Sequence, residues 1–181
     1  MRIDEPVPGL RGRPLPPDPR WQFFTADRTR YASPWFPGRH RLMIEYGCTD
    51  APFYVPDARC GGEGFHHGVD VALPCGTPLL AGVRGRVVAP APGTVGPAYG
   101  RHPLLLRTTV QGAAADVLVG HARRLLVRVG DDVEPGQRVA VAGASAAPDG
   151  CHLHLELRAP GGDVGTARPP APVLRLRPPA S

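Results

Sequence analysis

A chain of 181 residues, 42% of them hydrophobic, is long enough for one domain with its own core and too apolar to be disordered throughout. Its 23 glycines and 24 prolines disfavour long helices and favour short strands joined by turns. The net charge is +5 and every basic residue is arginine, but these arginines are scattered and aromatics make up only 6% of the chain, so the clustered basic and aromatic surface of a nucleic-acid binder is absent.

Residues 1–37 are rich in Pro, Arg and Asp, with six prolines among the first twenty residues, and read as an irregular N-terminal arm or linker. Its aromatics (Trp21, Phe23, Phe24, Trp35, Phe36) suit docking on the domain. The arm shows no apolar core of a signal peptide, and no run in the chain reaches transmembrane length. From residue 38 the pattern turns to strands. Candidates are 40–47, 66–73, 82–90, 103–110, 115–122, 125–130, 138–143 and 151–158, split by Gly and Pro turns. They predict an all-β sheet, roll or sandwich over residues 38–160. Residues 161–181 read as a Pro-rich, disordered tail.

The last candidate strand carries His152-Leu153-His154-Leu155-Glu156-Leu157. Alternation puts the three leucines on an inner face and His152, His154 and Glu156 on the other. Residues two apart on a strand lie about 6–7 Å apart, which suits one metal ligand and one group working beside the metal. In His66-His67-Gly68-Val69-Asp70 a strand places His66 and Asp70 on one face and His67 on the other. Asp70 sits within an apolar run, where a carboxylate needs a partner. His121 ends a further strand. Singly, each piece also fits a plain structural role. Together they offer two histidines and a carboxylate as ligands with a fourth position open, the pattern of catalytic zinc. Zinc lowers the pKa of its water to about 7 and polarises a scissile carbonyl, while further histidines handle the proton and the oxyanion.

Four cysteines, Cys48, Cys60, Cys75 and Cys151, include no C-x-x-C pair, which argues against a Cys₄ zinc site. Their even number suits two disulfides in any of three connectivities, and equally four thiols in a reducing compartment.

The motifs H-H-G-V-D, A-L-P-C-G-T-P-L, G-R-V-V, G-H, V-G-D-D-V-E-P-G-Q-R-V-A-V-A-G and H-L-H-L-E-L, in this order over about residues 40–158, resemble the M23 family of zinc metallopeptidases, the LytM/lysostaphin-type domain of peptidoglycan endopeptidases. The resemblance implies an antiparallel β-roll or sandwich core of the LytM type and one Zn²⁺ per chain held by His66, Asp70 and His154. It also implies His121 and His152 as the catalytic histidines. The implied substrate is a peptide bond in peptidoglycan cross-bridges or stem peptides, cleaved by a monomeric protein of the cell envelope or exterior, although no signal peptide is visible. The chain departs from the family pattern at Cys151, where proline is common, at Cys75, and in the lead-in at residues 48–65. If Asp70 and His154 face each other on antiparallel neighbours, Cys75 comes near Cys151, and Cys48–Cys60 is the companion bridge. Two other uses of such a domain are hydrolysis of a small or modified peptide and non-catalytic activation of a cell-wall hydrolase. The 127–143 segment also resembles the hairpins of biotinyl and lipoyl carriers, but those need a lysine and this chain has none.

Overall fold

Alternation of Leu153, Leu155 and Leu157 with polar residues makes residues 152–158 a strand with one apolar edge to bury, and this strand stands at the centre of the molecule. The computed structural model describes residues 14–181. The strands are β1 (Arg30–Ser33), β2 (Phe36–Ile44), β3 (Gly47–Thr49), β4 (Gly64–His66), β5 (Val69–Ala72), β6 (Pro78–Leu80) and β7 (Gly85–Val88). They continue with β8 (Leu104–Val110), β9 (Ala113–Gly120), β10 (Arg124–Leu125), β11 (Asp132–Val133), β12 (Arg138–Val141) and β13 (His152–Arg158). Among the described residues a single short α-helix, α1 (Ala171–Leu174), accompanies them.

Eight strands form one antiparallel sheet in the order β1-β2-β5-β13-β9-β8-β7-β11, with a three-stranded sheet β10-β12-β6 and a pair β3-β4. The leucines of β13 and Val69, Val71, Val117, Val119, Leu104 and Leu106 from its neighbours join Leu79, Val139 and Ala140 of the smaller sheet in one apolar cluster. Burial of this shared face drives the two sheets together. The all-β, antiparallel expectation is the architecture observed.

The register between β5 and β13 pairs His154 with Asp70 and His152 with Ala72. The same register brings the turn after β5 to the start of β13, where Cys75 and Cys151 form a disulfide with a Cα separation of 5.2 Å. Cys48 and Cys60 form the second, beside the β3-β4 pair.

Four local expectations are corrected. Residues 66–73 are two strands: the chain bends at His67 and Gly68 between β4 and β5. Glycine is needed at this bend, since a Cβ on Gly68 would lie 2.6 Å from the Leu155 carbonyl oxygen and 2.9 Å from His154 Cε1. Residues 125–130 give only the end of β10, because Val129 faces solvent and has no sheet to join. The arm is not irregular throughout: β1 lies within it and pairs with β2, and Trp21, Phe23 and Phe24 pack on a small cluster of Met43, Ile44, Ala51 and Ala72. Residues 1–13 of the arm lie outside the described residues.

The tail is the fourth correction. Residues 161–181 are docked at several points rather than disordered throughout. Arg168 bridges to Leu157 and Arg177 to Ala32, and α1 buries Val173 and Leu174. Trp35 donates its indole N–H to the Val173 carbonyl at 2.9 Å, and Ser33 its hydroxyl to Leu174 at 2.6 Å. Proline disfavours ladder pairing, yet it also reduces the entropy lost on ordering a segment, and two apolar residues suffice to dock this one.

Candidate metal centre

The polar face of β13 is as deeply buried as its leucine face. His66, Asp70, His152, His154 and Glu156 are each at most 5% exposed. β4 ends on His66, β5 supplies Asp70 and β13 supplies His154, so the pairing of three neighbouring segments brings the three side chains together. His66 Nε2 lies 3.3 Å from His154 Nδ1 and 3.3 Å from Asp70 Oδ1, and His154 Nδ1 lies 2.7 Å from Asp70 Oδ1. Donors on a tetrahedral zinc with bonds of about 2.0–2.1 Å stand about 3.3 Å apart. Two imidazole nitrogens and one carboxylate oxygen at these separations fit one small, borderline-soft ion. A second group, Asp18 with Cys75 and Cys151, is close enough by distance, but its sulfurs are joined in the disulfide.

Each histidine's second nitrogen is spoken for in a way that fixes its tautomer. A carbonyl oxygen only accepts, so His66 Nδ1 donates to Glu45 at 3.1 Å and leaves Nε2 as a lone pair toward the cluster. His154 is turned the other way: Nε2 donates to Glu156 Oε1 at 2.9 Å, and Nδ1 faces Asp70. Glu156 is held in turn by Arg158, whose Nε donates to Oε2 at 2.6 Å. Arg158 is fully buried, and its two terminal nitrogens donate to the Thr94 carbonyl and the Tyr99 hydroxyl oxygen, both at 2.7 Å. A ligand imidazole backed by a carboxylate is the usual support of a metal-bound histidine.

His121 and His152 stand beside this cluster, their ring centres 4.7 Å apart, and His121 is 5.6 Å from the His154 ring. His121 Nδ1 donates to Ser145 at 2.7 Å and His152 Nδ1 to Gly150 at 2.9 Å. Both Nε2 atoms are thereby left as acceptors. That of His152 is buried with no hydrogen-bond partner, 3.6 Å from Asp70 Oδ2. His121 adopts a left-handed backbone, φ 61°, a strained conformation for a residue with a side chain, and such strain concentrates at functional positions.

The charges of the site follow from burial and pairing. Burial disfavours the Asp70 carboxylate, but His66, His152 and His154 outweigh it and hold its pKa well below the usual range. Burial also works against a charged His154, yet Asp70 and Glu156 push its pKa up to about 10 in the metal-free protein. Glu156 is drawn down to about 2 by His154 and Arg158 against its own desolvation. His121 goes the other way: burial first, then repulsion from His152 and His154, lowers it to about 4, so it is neutral at pH 7.

These groups line a cleft of about 380 Å³, with Tyr54, Tyr99 and Asp149 on its walls. Burial and the nearby carboxylates raise the Tyr54 pKa, so its hydroxyl stays a donor. The five site residues expected from sequence thus converge. His67 lines the same cleft but stands outside the three-donor cluster. The parts assigned no role in the sequence reading are Glu156, Arg158, Tyr54, Tyr99 and Asp149. Only Glu156 carried a signal, its place two residues beyond His154 on the same strand face.

The family model of Peptidase family M23 matches residues 64–166, more than half of the chain. The chain belongs to peptidase family M23. This M23 chain is 38% identical over 97 residues to the lipoprotein NlpD/LppB homolog of Pseudomonas aeruginosa, a stretch covering 54% of the chain and 30% of that protein. It is 35% identical over 97 residues to an uncharacterized metalloprotease of Haemophilus influenzae, covering 50% and 18%. It thus spans less than a third of the length of these curated relatives. Among solved structures, the catalytic domain of the antimicrobial peptidase lysostaphin from Staphylococcus simulans superposes with a TM-score of 0.58 at 26% identity, over 75% of this chain and 92% of that one. A variant of the catalytic domain of the prophage-encoded M23 protein EnpA from Enterococcus faecalis gives 0.53 at 26% identity, over 72% and 88%. The M23 resemblance read from the motifs is borne out, and the fold is of the lysostaphin type.

Proposed function

We propose that this M23 domain is a zinc-dependent endopeptidase that hydrolyses peptide bonds in peptidoglycan cross-bridges or stem peptides. The observation that carries the proposal is the convergence of His66 Nε2, Asp70 Oδ1 and His154 Nδ1 within 3.3 Å, beside two histidines whose Nε2 atoms are left as acceptors. His66, Asp70 and His154 hold one Zn²⁺, which when bound acidifies a water and polarises the scissile carbonyl. Glu45, through its carbonyl, and Glu156 keep the two ligand imidazoles in the tautomers that bind metal. His121 and His152 act on the proton. Each presents an Nε2 able to take a proton from the attacking water and return it to the leaving amine, and burial keeps His121 neutral. Once protonated, either imidazole offers a donor to the oxyanion. The peptidoglycan substrate and an envelope or extracellular site of action draw support from the likeness to lysostaphin, an antimicrobial peptidase, and to a lipoprotein.

Zinc per chain, measured by elemental analysis, tests this reading. Wild type is expected to hold about one ion, His66→Ala to lose most of it, and His152→Ala to keep it while losing hydrolysis of bacterial walls and glycine peptides. Wild type that binds no zinc when the metal is supplied sinks the proposal. Wild type that binds zinc and clears no wall suspension, yet cleaves short peptides, moves the substrate to small peptides.

A further inference from the structure

The residue before His152 is gripped from three directions. The Cys151 sulfur is bonded to Cys75. Its N–H donates to Asp18 Oδ2 at 2.9 Å, and its carbonyl accepts from Trp21 Nε1 at 2.6 Å. Both partners come from the N-terminal arm, outside the residues matched by the family model. Neither hangs loosely. Arg20 binds Asp18 through its backbone N–H, Nε and Nη2, and holds the carboxyl well below its usual range, so Asp18 is an ionised acceptor. The Trp21 ring packs on the cluster formed by Met43, Ile44, Ala51 and Ala72. Gly150 makes room for this approach: φ there is +92°, and a Cβ would lie 2.8 Å from Asp18 Oδ2. The carbonyl of that same Gly150 receives the His152 Nδ1 proton.

We propose that Asp18 and Trp21 are positioning residues for His152, the arm and the Cys75–Cys151 bridge together locking the two peptides on which that imidazole stands. The inference rests on the proposed catalytic role of His152. The physical reason is that Cys151 precedes the first residue of β13, so neither of its backbone groups is held by the ladder that orders the rest of the strand. Without Asp18 and Trp21 these groups turn to water, the segment keeps only the disulfide and the His152 N–H bond to the Gly143 carbonyl at 3.3 Å, and Gly150 and the His152 ring gain freedom. Misplacing a reacting group by about 1 Å can cost on the order of 100-fold in rate, and a loosened one correspondingly less.

The test uses the zinc-loaded full chain and four variants. Trp21→Phe keeps the ring but cannot donate to Cys151. Asp18→Ala removes the acceptor, and Asp18→Asn restores an oxygen. Phe23→Leu disturbs the same apolar cluster without touching Cys151. Zinc per chain, Tm, kcat and KM on glycine peptides and wall suspensions, and the nitrogen-15 ring signals of His152, assigned with His152→Ala, are read for each. Trp21→Phe and Asp18→Ala are expected to keep their zinc and their KM within about twofold, and to lose about tenfold in kcat, with the His152 ring signals shifted or broadened. Asp18→Asn should recover part of the loss. Phe23→Leu should lower Tm and leave kcat and the His152 signals unchanged. Unmoved His152 signals in Trp21→Phe, or an equal loss of kcat in Phe23→Leu, overturn the proposal and reduce the arm to a cover. If Asp18→Ala does not fold, Trp21→Phe carries the decision alone. If wild type hydrolyses neither substrate, the endopeptidase reading fails, while the His152 ring signals still decide the fate of this one.

Discussion

The two faces of β13 are equally buried and held by opposite means. Leu153, Leu155 and Leu157 show no exposure and sit in the apolar cluster between the sheets. His152, His154, Glu156 and Arg158, at 0–2% exposure apart from His154 at 5%, are held by hydrogen bonds and charge. Packing is forgiving of identity and sensitive to volume. A buried charge network tolerates neither a missing partner nor a wrong tautomer. One strand therefore serves as a structural staple on one side and as a chemical template on the other.

Glu156→Gln cuts into the polar face and carries the largest expected effect. Zinc affinity, measured by competition with a chelator, should fall about 10–100-fold because the His154 ring loses its anionic support. Stability should fall by about 3–5 kcal/mol, since Arg158 keeps a fully buried charge with no carboxylate, and urea unfolding reads that loss. Leu155→Ala attacks the other face. It should cost about 2–5 kcal/mol through lost burial and the cavity left behind, yet hold one zinc per chain below its lowered Tm. Loss of zinc from the folded Leu155→Ala protein would show that the two faces are not separable.

The remaining effect is a pH dependence peculiar to the polar face, which leaves the fold intact. His154 has its pKa raised to about 10 in the metal-free protein, and a metal ligand must shed that proton. Zinc binding at pH 7–9 should release about one proton from His154, and the apparent affinity should tighten about tenfold per pH unit from this group. Calorimetry in buffers of different ionisation enthalpy measures the release. For the metal-free fold the sign is reversed. The proton on His154 contributes stability that is fully present below the unfolded value near 6.5 and is lost as pH rises through about 10. An affinity flat across pH 7–9 would show that His154 holds no extra proton in the metal-free protein.

How much of this was legible depends on the range of the interaction. The period-two pattern of residues 152–157 is local, so the two faces of β13 were readable before any fold was known, whereas His66 and Asp70, read onto one strand face, stand on two strands with a bend between them and meet His154 only through strand pairing. The Cys75–Cys151 bridge needed one added supposition, that Asp70 faces His154, because register then propagates along two strands. Arg158 offered no such handle. A charged residue at a strand end reads as exposed, and its full burial is tolerable because Thr94 and Tyr99 arrive from a distant loop to join Glu156 in pairing it.

The termini illustrate the same division. Pro-rich composition argued for an irregular arm and a disordered tail, yet Trp21 reaches a carbonyl 130 residues away and Trp35 one 138 residues away. Side-chain period and residue chemistry follow from neighbours in the chain, and they determined the strand class, the ligand types and the faces that present them. Which backbone groups the arm and tail satisfy, which tautomer each histidine adopts, and which charge balances Glu156 depend on where distant segments come to rest. Those were decided only in the folded molecule, because the geometry that permits a hydrogen bond does not exist until both partners are in place.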